Sequence, residues 1–326
     1  MTERGIIVHK RIMIGGLILS VAALPFSVKI CHAGLIIALL AWVTEGQWRF
    51  KLAIIQRHFL LKVLIALVAV QGLGIFFSEN WVEGWFSFEK KIFFLLIPLA
   101  LATTAVKLTQ AEIRAVFVCF VVACFAGTVF CAFEAWHHAN VYLSGGDQLN
   151  SYLASSPYSE LNPGQSPVWL FFSYVGLSRG IGIHPTFLSL YLAFCIVFLL
   201  LQLSVIGSRP MKIAASALII YFSVFVIFLS SRIIILSLAL IYALLLARMV
   251  AAGKRTVTLA LLTTLVVFAF LIFGNPVTRY RNLQEIDLST FRIEPHREYK
   301  TAAHIRASLW WIAVKSLPGT NPVFGT

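Results

Sequence analysis

Apolar runs at 12–26, 30–43, 59–77, 91–106, 113–133, 184–206, 213–229, 233–250 and 257–274 dominate the sequence and leave few folds open to it. Each reaches, or nearly reaches, the roughly 20 residues that a helix needs to cross about 30 Å of hydrocarbon, and the shorter ones predict tilted or irregular ends. Hydrophobic residues make up 60% of the 326 and charged residues 12%, with 27 Phe and 8 Trp. A soluble domain sits nearer one half and one quarter. With a mean hydropathy of +0.89, the chain has more apolar surface than one aqueous core can hide, so lipid is its expected solvent. The expected fold is all-α: a polytopic helical membrane protein with about nine transmembrane helices. A membrane domain over 1–274 is expected to be followed by an outer segment, 275–326.

The formal charge of +13 would suggest nucleic acid on a soluble protein. Here it is read instead as retention of cytoplasmic loops and attraction to anionic lipid or lipid-linked phosphate, with no nucleic acid as partner. The five cysteines, Cys31, Cys119, Cys124, Cys131 and Cys195, all fall inside apolar runs and read as small hydrophobes. The opening Arg4, His9, Lys10 and Arg11 before an apolar run imitates a signal peptide, but lacks a small-x-small cleavage site and reads as an uncleaved first span.

Basic residues set the orientation. With a cytoplasmic N-terminus, the inner segments hold Arg4, Lys10, Arg11, Arg49, Lys51, Arg57, Lys62, Lys107, Arg114, Arg209, Lys212, Arg248, Lys254 and Arg255. The short outer turns hold only Lys29, Lys90, Lys91 and Arg232, which satisfies the positive-inside rule. Two long segments are then outside: 134–182, rich in Ser, Gly, Asn, Pro and aromatics and expected to be a folded or lipid-skimming loop, and the basic 275–326. No internal repeat is evident, and no Walker, CxxC, HExxH or GxSxG pattern supports an ATPase or a metal hydrolase.

The informative residues of such a chain are ionisable groups in or beside lipid. Arg232, in Ser230-Ser231-Arg232, stands between two apolar runs with almost no loop around it. It reads either as a snorkelling turn residue or as an anion-binding group whose guanidinium fits phosphate bidentately. Glu89-Lys90-Lys91 opens the fourth run, and adjacent lysines point about 100° apart on a helix, so one at most faces a given pocket. His184-Pro185-Thr186 opens the sixth, with Pro at a first helical turn and His184 as an interfacial cap or a functional group. His304–Trp311, with Arg306, reads as an amphipathic outer helix anchored by Trp310 and Trp311, or as a solvated basic face. Adjacent His137 and His138 make a poor metal site.

Taken in order, Glu89-Lys90-Lys91-x-x-x-x-Leu96-x-Pro98-Leu99, His184-Pro185-Thr186-x-x-x-Leu190-Tyr191, Ser230-Ser231-Arg232, and Arg306-x-x-Leu309-Trp310 continuing to Asn321-Pro322-Val323-Phe324-Gly325 resemble the O-antigen ligase and polymerase superfamily of bacterial envelope proteins. The resemblance covers residues ~70–326. It implies a GT-C-like, metal-independent glycosyltransferase of the bacterial inner membrane, with its active face periplasmic and no cofactor. The implied donor is a glycan on undecaprenyl pyrophosphate; the acceptor is lipid A-core for a ligase, or another glycan for a polymerase. By motif match, Arg232 and Arg306 would bind the donor pyrophosphate with help from Lys90 or Lys91; Ser231 and His184 are further possibilities. The family's glycine-rich stretch and its acceptor-activating His would follow Gly325-Thr326, so the general base is expected beyond Thr326 and the outer loop is expected to be incomplete. His296 and His304 precede the motif and do not replace that group.

The implied chemistry needs no metal or nucleotide. A polyprenyl pyrophosphate donor is already activated, and charge grows on the leaving pyrophosphate as the anomeric C–O bond breaks. Preorganised cations stabilise that charge, by ~3–4 kcal/mol per donor in comparable oxyanion sites. A general base taking the acceptor proton adds ~10²–10⁴-fold, and direct attack inverts the anomeric centre. The competing class is a flippase or transporter of a lipid-linked saccharide, which would share the phosphate-binding arginines. Transporters often carry repeats and midplane charges, whereas here the unusual cations cluster on one side.

Overall fold

A computed structural model describes residues 3–76, 80–144, 168–203 and 205–251, together with Phe270 and Gly274. All regular structure among them is helical: α1 Glu3–Ala23, α2 Val28–Thr44, α3 Trp48–Arg57, α4 Phe59–Ile75, α5 Trp81–Thr103, α6 Gln110–Leu143, α7 Val168–Phe171, α8 Tyr174–Ser178, a 3-10 turn Arg179–Ile181, α9 Pro185–Gln202, α10 Arg209–Phe228 and α11 Arg232–Ala251. Three of these, α6, α9 and α10, are long and apolar enough to cross a membrane, or up to four if the bent pair α2 and α3 counts as one. The run 257–274, apart from Phe270 and Gly274, and the whole of 275–326 lie outside the described residues.

The described residues divide into two compact units, the first ending at Cys119 and the second starting at Phe120. In the first, α1 and α2 pack with their backbones nearly in contact. A Cβ added to Gly16 would come within 2.7 Å of Gly34 O and Ala38 N, and one added to Gly34 within 2.6 Å of Ser20 N. Gly16/Ser20 and Gly34/Ala38 are each four residues apart, so the small side chains of both helices stack on one face. Small-xxx-small seams allow this close approach, which in lipid supplies the van der Waals contact that the hydrophobic effect cannot. Ser20 Oγ meets Cys31 Sγ at 3.2 Å in the same seam.

α5 starts ten residues before the apolar run expected at 91–106, so Lys90 and Lys91 lie in its third turn rather than at its start. The reason is an N-terminal cap: Asn80 Oδ1 accepts the Glu83 N–H at 3.2 Å, and Asn80 Nδ2 donates to Glu83 Oε2 at 3.5 Å. Pro98 sits inside α5, where its missing N–H removes one helical hydrogen bond. α6 opens on a reciprocal cap. Thr109 N donates to Glu112 Oε2 at 2.7 Å while Glu112 N donates to Thr109 Oγ1 at 3.3 Å.

In the second unit, Leu188, Leu192, Cys195 and Ile196 of α9 and Phe222 and Val226 of α10 are fully buried, as are Cys124 and Cys131 of α6. Within the segment expected as an outer loop, 134–182, α6 continues as helix through Leu143. Its last turns bury Ala135 and Ala139, Tyr142 packs on Phe171 with ring centroids 6.0 Å apart, and a Cβ at Gly180 would stand 3.0 Å from Glu134 Cγ. Residues 168–183 thus fold back on the end of α6 and give it the burial that sustains the helix beyond its purely apolar stretch. Residues 145–167 lie outside the described residues.

Candidate functional site

α10 ends at Phe228, with Leu229 N donating to Phe225 O at 2.9 Å and Ser230 N to Ile227 O at 3.0 Å. Ser230 then takes a left-handed backbone, φ 51°, the conformation that closes helix C-termini and in which residues other than Gly and Asn are uncommon. Its hydroxyl donates back toward the Phe228 carbonyl at 3.2 Å. Ser230 and Ser231 are both buried, and Arg232 is the first residue of α11. A turn of three residues thus reverses the chain and delivers a guanidinium to a helix N-terminus, whose unpaired N–H groups favour negative charge.

The inward face of α11 is Ile234, Leu238 and Tyr242, all buried, while Ile233, Leu236, Leu240 and Leu244 are at least 60% exposed. By helical register the Arg232 backbone belongs nearer the exposed side, yet its Nε atom is buried. The side chain therefore runs back toward the protein instead of extending into lipid or water. Tyr242 fixes the register of the hairpin. Ser223 Oγ donates to Ile219 O at 2.7 Å, so the phenol, 2.9 Å from Ser223 Oγ, is the donor in that pair. The sequence from Leu161 to Gln284 contains no Asp or Glu, so neither α9, α10 nor α11 brings a carboxylate to this turn.

His184 is the N-cap of α9. Its Nδ1 accepts the Thr186 N–H at 3.3 Å, and its ring stands edge-on to Tyr174 and Phe187 at 6.1 and 6.2 Å. An imidazole accepting at Nδ1 carries its proton on Nε2 when neutral, which suits a hydrogen-bond donor to an anion and not a base. α9 and α10 pack together across the short connection Leu203–Ser208, and α11 packs on both, so the starts of α9 and α11 share the end at which α10 finishes. His184, Ser231 and Arg232 therefore belong to one end of the second unit. Lys90 and the exposed Lys91 belong to the first unit. Arg306 lies outside the described residues.

On α6, His138 Nε2 lies 3.5 Å from Glu134 Oε2 across one helical turn. Among the described residues, no three His, Cys, Asp or Glu side chains group as metal ligands.

Sequence reasoning missed the most elaborate polar cluster, which closes one end of the first unit. Lys51 of α3 is 1% exposed and Glu45 5%. Lys51 Nζ pairs with Glu45 Oε2 at 3.2 Å, donates to the Trp42 carbonyl, and lies 4.6 and 4.9 Å from the ring centroids of Trp42 and Trp48. Glu45 Oε1 in turn accepts the N–H groups of Ala105 and Val106 at 2.8 and 3.1 Å, and Thr104 Oγ1 donates to Oε2 at 3.2 Å. Trp42 Nε1 donates to Thr103 Oγ1 at 3.0 Å. One carboxylate thereby ties the end of α2, the start of α3 and the end of α5. The signal in the sequence was Glu45 and Lys51 interleaved with Trp42 and Trp48 at an apolar boundary.

No protein-family model, curated protein or solved structure matches the chain. Among the described residues, all regular structure is helical, with helices apolar and long enough to cross a membrane.

Proposed function

We propose that this protein is an O-antigen ligase-like glycosyltransferase of the bacterial inner membrane. It spans the bilayer about nine times with a cytoplasmic N-terminus, and moves a glycan from undecaprenyl pyrophosphate to a lipid A-core or glycan hydroxyl at the periplasmic face. The observation that carries the reading is the Ser230-Ser231-Arg232 turn: two buried serines, one in a left-handed backbone, place an arginine with a buried Nε at a helix N-terminus. Backbone strain of this kind persists where the surroundings hold it, and clusters at functional sites. In this role Arg232 binds the donor pyrophosphate and takes up the charge of the leaving group, Ser231 and the first N–H groups of α11 assist, and His184 donates from Nε2. By motif match, Lys90 or Lys91, and Arg306, are further candidates for binding the donor pyrophosphate.

The test uses proteoliposomes of the protein, undecaprenyl pyrophosphate as binding probe, and the same lipid carrying a glycan as donor to lipid A-core. Donor binding that weakens about tenfold or more in Arg232→Ala, a size expected for a lost charge-assisted contact, supports the reading. Binding indifferent to both Arg232→Ala and Arg306→Ala overturns it. Movement of the intact lipid-linked glycan across the bilayer, with no new glycosidic bond, would establish a transporter instead.

A further inference from the structure

The clustered helix ends of the first unit have a charge balance that composition alone does not show. The start of α1, the end of α2, α3, the end of α5 and the start of α6 are held together at one end by three sets of contacts. Lys10 Nζ meets Glu112 Oε2 at 2.8 Å, Glu45 binds Lys51 and Thr104–Val106, and Met13, Ala38, Ala41 and Val106 form one buried cluster. Between Arg4 and Ser78 the only acidic residue is Glu45, and from Lys107 to Arg114 it is Glu112. Both are engaged by internal cations, Lys51 and Lys10. Among the residues of this end whose burial is described, the exposed charges that remain are positive: Arg11, Arg49, Arg57, Lys62, Lys107 and Arg114.

α3 carries the centre of that surface. It turns 106° from α2, with Lys51 buried on its inner side as the pin. On a helical wheel, Trp48 and Leu52 form one exposed edge, 49% and 56% exposed, with Arg49 and Gln56 beside them. The first residues of α4 extend the apolar edge, with Phe59 72% and Leu60 79% exposed, and Lys62 follows. Trp and aliphatic side chains bordered by Arg and Lys, on a helix lying across the end of apolar ones, match the boundary between acyl chains and headgroups.

We infer that α3 and the start of α4 form a binding surface for anionic phospholipid headgroups, with Arg49, Arg57 and Lys62 holding the phosphate and Trp48, Leu52 and Phe59 seated among the acyl chains. The occupant is lipid because the surface is continuous with helices that carry apolar side chains into the bilayer, and because its charge complements an anionic leaflet. The inference rests on membrane placement and is independent of the transferase reading, since it involves neither Arg232 nor the donor.

The experiment extracts the full chain into mild detergent from vesicles of phosphatidylcholine and phosphatidylglycerol at a fixed ratio, and measures the two lipids retained per protein by mass spectrometry. Phosphatidylglycerol should be enriched over the bulk ratio. The combined Arg49→Gln, Arg57→Gln and Lys62→Gln variant should lose at least about fivefold of the enrichment, the effect expected of one juxtamembrane cation. All three residues are exposed, so unchanged elution on size exclusion is expected and separates lipid loss from misfolding. Three results would overturn the inference: no enrichment in the parent protein, enrichment that survives the triple substitution, or an equal loss in an Arg209→Gln, Lys212→Gln variant of the second unit. The first of these would leave the surface to a soluble acidic partner. Undecaprenyl pyrophosphate binding by the triple variant, measured in parallel, should be unchanged, which keeps failure here distinct from failure at Arg232.

Discussion

The α2–α3–α5 junction and the α10–α11 turn use cations in opposite ways. At the junction the cation is consumed: Lys51 is enclosed by a carboxylate, a carbonyl and two indole rings, and its work is to hold three helices together. Around the turn no carboxylate lies anywhere in the sequence from 161 to 284, and two buried serines shape the backbone that carries Arg232. A cation beside an apolar helix is therefore not a functional signal by itself. At the junction the counter-charge is Glu45, whereas α9, α10 and α11 contribute no carboxylate to the turn.

That contrast is tested most severely at Glu45. Glu45→Ala should destabilise the protein by about 3–5 kcal/mol, because Lys51 is left buried without its partner. Thermal unfolding in detergent reads the loss, and a Glu45→Gln, Lys51→Met pair should recover much of it. If Glu45→Ala unfolds like the parent, the junction is not a structural pin. The helix seam of the same unit comes next. Gly34→Ala should lower stability by about 1–3 kcal/mol, since the new methyl meets Ser20 and Gly16 backbone atoms that cannot move independently.

At the α10–α11 turn the expected signature is reversed. Arg232→Lys keeps the charge and loses the planar fork, so undecaprenyl pyrophosphate affinity should fall about tenfold, or about 1.4 kcal/mol, while the unfolding midpoint stays put. A matching loss of stability would make Arg232 a second Lys51 and erase the contrast.

The smallest effect concerns Glu112, just ahead of the apolar stretch of α6. Lys10 beside it and the Thr109 backbone N–H hold its carboxyl at about 2, below the ordinary 4.5. A lowered folded value means the contribution is complete above about 4.5 and fades as pH falls toward about 2. Lys10→Gln should flatten the stability profile in that window alone, measured by unfolding midpoints across pH. A Lys10→Gln loss as large at about pH 2 as at neutral pH would contradict the pairing.

Much of this molecule was legible because long apolar runs mark their helices residue by residue. Eight of the apolar runs, all but 257–274, coincide with described helices, and the serine-serine-arginine turn falls where the break between runs placed it. The extent of α6 and α5 was not legible. Hydropathy ends where polar residues begin, at Glu134 and before Lys91, whereas the helices continue on caps and on burial against distant segments. His184 was open between cap and function from sequence, and the structure makes it the cap, with Nε2 as its remaining group.

The sequence by itself determined the helical class and where the long apolar stretches fall, because those follow from the transfer free energy of individual residues and their order along the chain. Only the tertiary structure decided which charges are spent. Glu45 and Lys51 are six residues apart, but the atoms that complete their cluster come from Thr104, Ala105 and Val106, about sixty residues on. Likewise Gly16 and Gly34 are ordinary small residues until α1 and α2 close on them. Desolvation and close packing depend on what arrives from elsewhere in the chain, and that is a property of the folded arrangement.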